Sequence, residues 1–404
     1  MKRVFFLFLL VLMVLTSFSC KRNRTPEEEP VVEINTDSVF LSLDHEAVAK
    51  REKQADRFFT QLWKSGLNGV VLYAEQGQIV YEKAMGWKQV QRQRDSLHID
   101  DAFQLSSDSK MFTAEAIMLL HAQGRLDYDD DICQYIPEFP YKGVTIRHLL
   151  NHRSGLPRYD SMADEFWPDR KKPFSNEALI KMLVERKPEP YGAPDATYFY
   201  NNINYALLAS VVERVTGEHF EDFMKQNIFD PLGMSHSYIY SMRNMESVPF
   251  YMECDVPGHE LYRSGAVKLQ DDYLNGVMGD KIMFSTVDDI YKYSLALDCH
   301  LLLPDTLQQE AFRPGSPEWK HEENYGFGWR MSREHPDFLF HYGWWKGYRS
   351  VIIKNTVKNR LLVVLTNTTY NLPSEPMWEF VSDTSRQLPA VSFNPDVVRR
   401  NLLK

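Results

Sequence analysis

Cysteine is scarce in this chain, with four among 404 residues. Cys20 closes an apolar N-terminal segment, and the other three, Cys133, Cys254 and Cys299, are odd in number and far apart. They offer neither a disulfide framework nor a metal-type spacing, so the expectation is three buried thiols or one bridge at most. Long apolar runs are also lacking: past residue 19 no uncharged stretch is long enough to cross a bilayer, and the body of the protein is expected to be soluble. Positive charge falls short, 46 Lys and Arg against 55 Asp and Glu, and the formal net charge of −9 argues against a nucleic-acid partner. No G-x-S-x-G occurs, which removes a strand-to-helix nucleophile elbow. His148 and His152 are four apart, but no Glu follows His148 in the manner of H-E-x-x-H, so no metal site is expected and the pair reads as support for a loop. The acidic run Asp127-Tyr128-Asp129-Asp130-Asp131 reads as a solvated turn leading into a short helix. Internal repeats and low-complexity segments are absent.

What is present begins at the N-terminus. Met1-Lys2-Arg3 precedes sixteen uncharged residues, Val4 to Ser19, and then Cys20. Residues 1–19 read as a secretory signal. A cysteine after a small residue there resembles a bacterial lipobox, in which Cys20 is acylated and becomes the mature N-terminus; Ser17 stands where that pattern prefers Leu, and an ordinary signal peptide is the alternative. Residues 20–45 are charged, carry two prolines and lack periodicity, as a tether would. The expectation is an exported protein, lipid-anchored to a bacterial membrane, with its domain in the periplasm or at the cell surface. Residues 46–390 form that domain and 391–404 a C-terminal tail.

Ser107-Asp108-Ser109-Lys110 is the only place where Ser is followed three residues later by Lys, and it opens an apolar helical stretch, Met111 to Gln123, stopped by Gly124. Residues three apart share a helix face, so the Lys110 ammonium can reach the Ser107 hydroxyl, and the free N–H groups of the first turn favour developing negative charge. A nucleophilic serine needs that geometry. Taken alone, the pair reads as a helix cap beside a solvated lysine, and the rest of the chain decides. Elsewhere, near-helical spacing over 46–65 precedes strands over 70–75 and 78–85 joined at Gln76-Gly77, and three more strands fall at 338–342, 349–354 and 360–365. Helical periods fill 175–186, 203–216, 218–229 and 286–298. Strands at both ends with helices between them predict a sheet lobe, a helical lobe over about 105–285, and a cleft between the two.

Ser107-Asp108-Ser109-Lys110, Tyr200-Asn201-Asn202 and His341-Tyr342-Gly343, in that order, resemble the S-x-x-K, Y-x-N and K-T-G or H-x-G motifs of the serine hydrolases related to class C β-lactamases and D-alanyl-D-alanine carboxypeptidases. The flanks are similar too: 148–156, Asn204-Tyr205-Ala206-Leu207-Leu208, Pro231-Leu232-Gly233-Met234, Ser285-Thr286-Val287-Asp288-Asp289 and Tyr325-Gly326-Phe327-Gly328-Trp329, so the likeness spans about 50–388. Two decoys are set aside. Tyr273-Leu274-Asn275 lacks the helix start that follows Tyr200, and Lys64-Ser65-Gly66 reads as a helix end stopped by glycine. The resemblance implies an α/β fold of the penicillin-recognising kind, with an antiparallel sheet flanked by helices, an all-helical lobe, and the site in the cleft.

It also implies roles. Ser107 is the nucleophile, Lys110 and Tyr200 are a coupled pair that takes its proton, and which of them is the resting base stays open. Asn202 offers an amide to Lys110 and to a substrate carbonyl. The backbone N–H groups of Ser107 and Trp344 hold the oxyanion, each such donor worth on the order of 3 kcal/mol, and Gly343 keeps the strand edge open. His341, in place of a lysine, is charged only near or below its ordinary value of about 6.5, so its grip on a substrate carboxylate should be weak. Tyr342 and the bulky Trp344-Trp345-Lys346 suggest a narrow or apolar acyl pocket, with a packing role for Trp345 equally open. Ser106 stands where glycine is common. The implied reaction is acyl transfer to Ser107 and then to water, without metal or organic cofactor, on cell-wall D-peptides or small esters and amides, with β-lactams at most slow substrates. A non-catalytic receptor for D-peptides or wall fragments is the alternative. Oligomeric state stays open.

Overall fold

Arg360-Leu361-Leu362-Val363-Val364-Leu365-Thr366 is buried along its whole length because it lies in the middle of a sheet covered on both faces. The computed structural model describes residues 32–33, 45–317, 319, 323–383, 385, 388 and 391–403. In chain order the sheet strands are β1 (Gly69–Glu75), β2 (Gln78–Met85), β3 (Glu323–Tyr325), β4 (Arg330–Ser332), β5 (Phe338–Trp345), β6 (Tyr348–Asn355) and β7 (Arg360–Thr366). Every neighbouring pair is antiparallel, in the spatial order β3-β4-β5-β6-β7-β1-β2. Both chain ends therefore meet in one sheet.

Side chains alternate across a strand, and here the alternation feeds two cores. Leu361, Val363 and Leu365, with Val70 and Leu72, face the helical lobe. Leu362 and Val364, with Val71 and Tyr73, face the terminal helices α1 (His45–Lys64) and α6 (Ser374–Ser382), where Phe58 stacks on Phe380 at 5.1 Å. Each fully buried aliphatic side chain contributes about 2 kcal/mol.

The helical lobe is built on α2 (Ser109–Ala122), α3 (Asn176–Arg186), α4 (Asn202–Thr216) and α5 (Val287–Asp298). Helix α2 is buried from Ser109 through Leu120 and packs on α4. It ends in paired reverse bonds, Gly124 N–H to His121 O at 2.8 Å and Arg125 N–H to Leu120 O at 3.0 Å, with Gly124 at φ +68°, which is how glycine stops a helix. The lobe is not all-helical. A hairpin, His259–Tyr262 with Gly265–Lys268, and three short strands, 103–104, 283–285 and 238–239, also belong to it. Strands of two to four residues are too short to leave an alternating signal.

Residues 391–404 are more than a tail: Pro395–Leu402 form α7, whose Val398 and Leu402 are buried in the core. The signal segment 1–19, Cys20 and nearly all of the tether lie outside the described residues; within the tether, Val32–Glu33 pair in parallel with Val391–Ser392. The three remaining cysteines are free thiols, of which Cys299 is buried and Cys133 and Cys254 are half-buried. Among the described residues no helix is long and apolar enough to cross a membrane.

Candidate active site

Ser107 sits in a 3-10 turn, Ser106–Asp108, that runs directly into α2. The turn is pinned from several sides. Leu105 N–H donates to Met283 O at 2.8 Å, Ser109 Oγ donates to Ser106 O at 2.7 Å, and Ser350 Oγ on β6 donates to Leu105 O at 2.8 Å. Ser106, where glycine is common in the resembling family, holds φ +52°, a left-handed conformation that a residue with a Cβ adopts at a cost.

One helical turn on, Lys110 is fully buried. Its Nζ donates to Ser107 Oγ at 3.4 Å and to the Asp280 carbonyl at 2.7 Å. The Asp280 carboxylate is itself held by the Tyr159 hydroxyl at 2.7 Å and by the buried Lys281 ammonium at 3.1 Å. Tyr200 immediately precedes the α4 cap residue Asn201 and lays its ring 5.1 Å from Lys110 Nζ. The three candidate catalytic residues therefore meet where α2 and α4 converge. Asn202, the first residue of α4, does not bond Lys110, whose second donor goes to Asp280; Asn202 Oδ1 has no hydrogen-bond partner among the described residues.

His341 and Gly343 lie on β5 facing the helical lobe. The expectation that His341 grips a substrate is corrected. It is fully buried, with Nδ1 at 3.1 Å from Asp108 Oδ1 and Nε2 at 3.0 Å from the Tyr325 hydroxyl. Burial, reinforced by the Arg330 and Lys110 charges, holds its imidazole well below the usual histidine value, so the ring is neutral and occupied at both nitrogens. Gly343 is required by contact: a Cβ there would sit 2.2 Å from Leu105 O. Strand alternation turns Tyr342 to the opposite face, where its hydroxyl accepts from Trp378 Nε1 at 2.9 Å, so it does not narrow an acyl pocket. Trp344 is 64% exposed under the Arg349 guanidinium, and Trp345 Nε1 donates to Asn275 Oδ1 at 2.6 Å.

Residues given no site role from sequence complete the surroundings, among them His152, read there as loop support. The Arg330 guanidinium covers the Tyr200 ring at 4.7 Å and donates to Glu323 at 2.8 Å. His152 accepts at Nδ1 from Asn201 N–H at 3.2 Å and packs on Tyr200 at 4.3 Å between ring centroids, and burial keeps it neutral. Tyr325 belonged to a recognised flank and Asp108 to the S-x-x-K stretch itself. Arg330 carried no signal, being a single cation on a three-residue strand.

A serine and a lysine on one helical turn, facing a tyrosine between an antiparallel sheet and a helical lobe, define a serine hydrolase of the penicillin-recognising kind. The model of the Beta-lactamase family matches residues 55–383. Penicillin-binding protein 4* of Bacillus subtilis (strain 168) is 34% identical over 330 residues, covering 79% of this chain and 72% of its own length. Among solved structures, the octameric penicillin-binding protein homologue from Pyrococcus abyssi superposes with a TM-score of 0.67 at 24% identity, over 82% of this chain and 76% of that one. FmtA from Staphylococcus aureus does so with a TM-score of 0.68 at 19% identity, over 87% and 98%. Both share the fold. The chain belongs to the Beta-lactamase family.

Proposed function

We propose that the protein hydrolyses ester or amide bonds through an acyl-enzyme on Ser107. The observation that carries this reading is the buried Lys110 Nζ, 3.4 Å from Ser107 Oγ with the Tyr200 ring 5.1 Å away. Ser107 Oγ attacks the carbonyl carbon while its proton passes to whichever member of the Lys110 and Tyr200 pair is deprotonated in the reactive form, the Lys110 amine or the Tyr200 phenolate. The backbone N–H groups of Ser107 and Trp344 stabilise the oxyanion. The same pair returns the proton to the leaving alkoxide or amine, and water then repeats the sequence to release the acid. Asn202 Oδ1 is buried and has no hydrogen-bond partner among the described residues, so an N–H of a peptide-like acyl group that reaches it would find an acceptor.

The state of His341 bears on substrate class. A neutral, doubly bonded imidazole supplies no cation for a carboxylate, and Arg330 is already engaged by Glu323 and Tyr200. The reading therefore favours D-peptide-like or small esters and amides whose leaving group is uncharged, with β-lactams, which carry a carboxylate, at most slow. The relative from Bacillus subtilis, by its name, binds penicillin. Two substrates with one acyl group, one ending in a methyl ester or primary amide and the other in a free carboxylate, test this. The uncharged one should show at least about tenfold higher kcat/KM, and both activities should vanish in Ser107→Ala. A preference for the carboxylate would refute the substrate class, and turnover by Ser107→Ala would refute the nucleophile.

The N-terminal pattern through Cys20 supports export and lipid anchoring, which metabolic labelling with an alkyne fatty acid should detect in the wild type and not in Cys20→Ala.

A further inference from the structure

We infer that Asp108 is a positioning residue, which through His341 latches the Ser107 turn to strand β5 and so holds the two backbone N–H groups of the oxyanion site in register. The inference rests on the reading of Ser107 as the nucleophile.

Asp108 follows Ser107 and is fully buried. Its Oδ1 accepts from His341 Nδ1 at 3.1 Å, and the same nitrogen lies 3.2 Å from the Tyr342 carbonyl. Two acceptors at Nδ1 place the ring proton there, which leaves Nε2 to accept from the Tyr325 hydroxyl at 3.0 Å. A neutral ring satisfied at both ends cannot turn without losing both bonds. His341 stands two residues before Gly343 and three before Trp344 on the same strand. Turn and strand also touch where the Gly343 backbone crowds Leu105 O, and Ser350 Oγ ties β6 to that carbonyl at 2.8 Å. Of these contacts, Asp108 with His341 is the one that carries ionisable groups, and it abuts a turn whose Ser106 is held at φ +52°.

The link is also sensitive to pH. Burial raises the Asp108 carboxyl to about 7, against the pull of the Ser350 hydroxyl and the Lys110 and Arg330 charges. The titratable and charged groups that face it are Lys110 from α2, Arg330 from β4 and His341 from β5, and Tyr342 of β5 feels its charge through the sheet from the opposite face. Once ionised, Asp108 sets a negative charge one residue along from Ser107, whose backbone N–H is to hold the oxyanion, and opposes its development.

The test compares Asp108→Ala and Asp108→Asn on an uncharged ester across pH, with thermal melts as the folding control. Asp108→Ala should lose about ten- to a hundredfold in kcat with KM within about threefold, because the donors are misplaced and the substrate is not. The wild-type rate should fall above about pH 7; Asp108→Asn keeps an oxygen for His341 Nδ1–H, so it should recover all but a few-fold of the Asp108→Ala loss and remove that fall. Wild-type kcat in Asp108→Ala, or an unchanged alkaline limb in Asp108→Asn, would overturn the inference. Imidazole 15N shifts of His341 in the free protein examine the latch without turnover. The expected result is the neutral Nδ1–H tautomer with a shift step near pH 7 that Asp108→Asn abolishes; an Nε2–H tautomer or an imidazolium overturns the latch even where Ser107 is reactive. A wild type that shows the expected tautomer but takes no serine-directed fluorophosphonate would overturn the nucleophile, and the positioning role with it.

Discussion

Burial can outweigh nearby cations and leave a carboxyl protonated close to neutral pH, as it does at two positions among the described residues. Asp108 and Glu115, both fully buried, are each raised to about 7 chiefly by desolvation. Glu115 lies on α2 away from the reacting groups, with Oε2 accepting from the Tyr293 hydroxyl at 3.1 Å. Because its folded value lies above the ordinary carboxylate value of about 4.3, the folded state binds more protons than the unfolded chain between the two. The stability Glu115 contributes is complete below about pH 4 and is lost as pH rises toward 7. Glu115→Gln should therefore flatten the fall in unfolding free energy between pH 5 and pH 8 by roughly 2 to 3 kcal/mol; urea unfolding at the two pH values measures it, and an unchanged difference would contradict the assignment. At this scale the sequence was legible where chemistry is compressed into a short motif. Ser107 and Lys110 stand three apart and declare themselves. Asp108 sits between them, but its meaning depends on His341, 233 residues away, a partner that only the folded sheet supplies.

Elements are joined by a second buried cluster at the far face of the sheet. Glu75 at the end of β1 meets Arg51 of α1 at 3.3 Å and Arg360 of β7 at 3.2 Å, all three fully or almost fully buried. Arg51 also donates to the Tyr73 hydroxyl at 2.8 Å, and Arg360 to Val381 O at 2.8 Å. One carboxylate thus ties the first helix, two central strands and the region of α6. Removing one member of such a cluster strands the other charges, so Glu75→Ala should cost about 3 to 5 kcal/mol in a denaturant melt, whereas a surface pair such as Lys50 with Glu46 should cost less than about 0.5 kcal/mol. The long elements were readable because each obeys one period over many residues: α1, β1, β2, β5, β6 and β7 all lie where apolar spacing put them. Less was readable where the period is broken or brief. The stretch read as one helix over 218–229 divides into Phe220–Met224 and a π-helical turn, Lys225–Phe229, and Arg330 sits on a strand of three residues. Tyr342 was assigned to the cleft from its place in a motif, and strand alternation put it on the other face.

At the scale of the whole molecule, the two chain ends close one seven-stranded sheet and the intervening helices stand against one of its faces. The Ser107 turn belongs to the helical lobe and strand β5, with the proposed oxyanion donor Trp344, to the sheet. The site is therefore an assembly of two lobes, and the contacts at Leu105, Ser350, Asp108 and His341 decide whether its parts stay aligned. The order of the three motifs foreshadowed this arrangement, since they fall in the middle and near the end of a chain whose strands lie at its two ends. Ser107 is an activated nucleophile rather than a helix cap if it reacts as one, and intact-mass spectrometry of the folded protein after exposure to a fluorophosphonate, beside Ser107→Ala, tests that most directly. The prediction is one stoichiometric adduct on the wild type and none on the variant; an unmodified wild type, or an adduct that survives in Ser107→Ala, would contradict it.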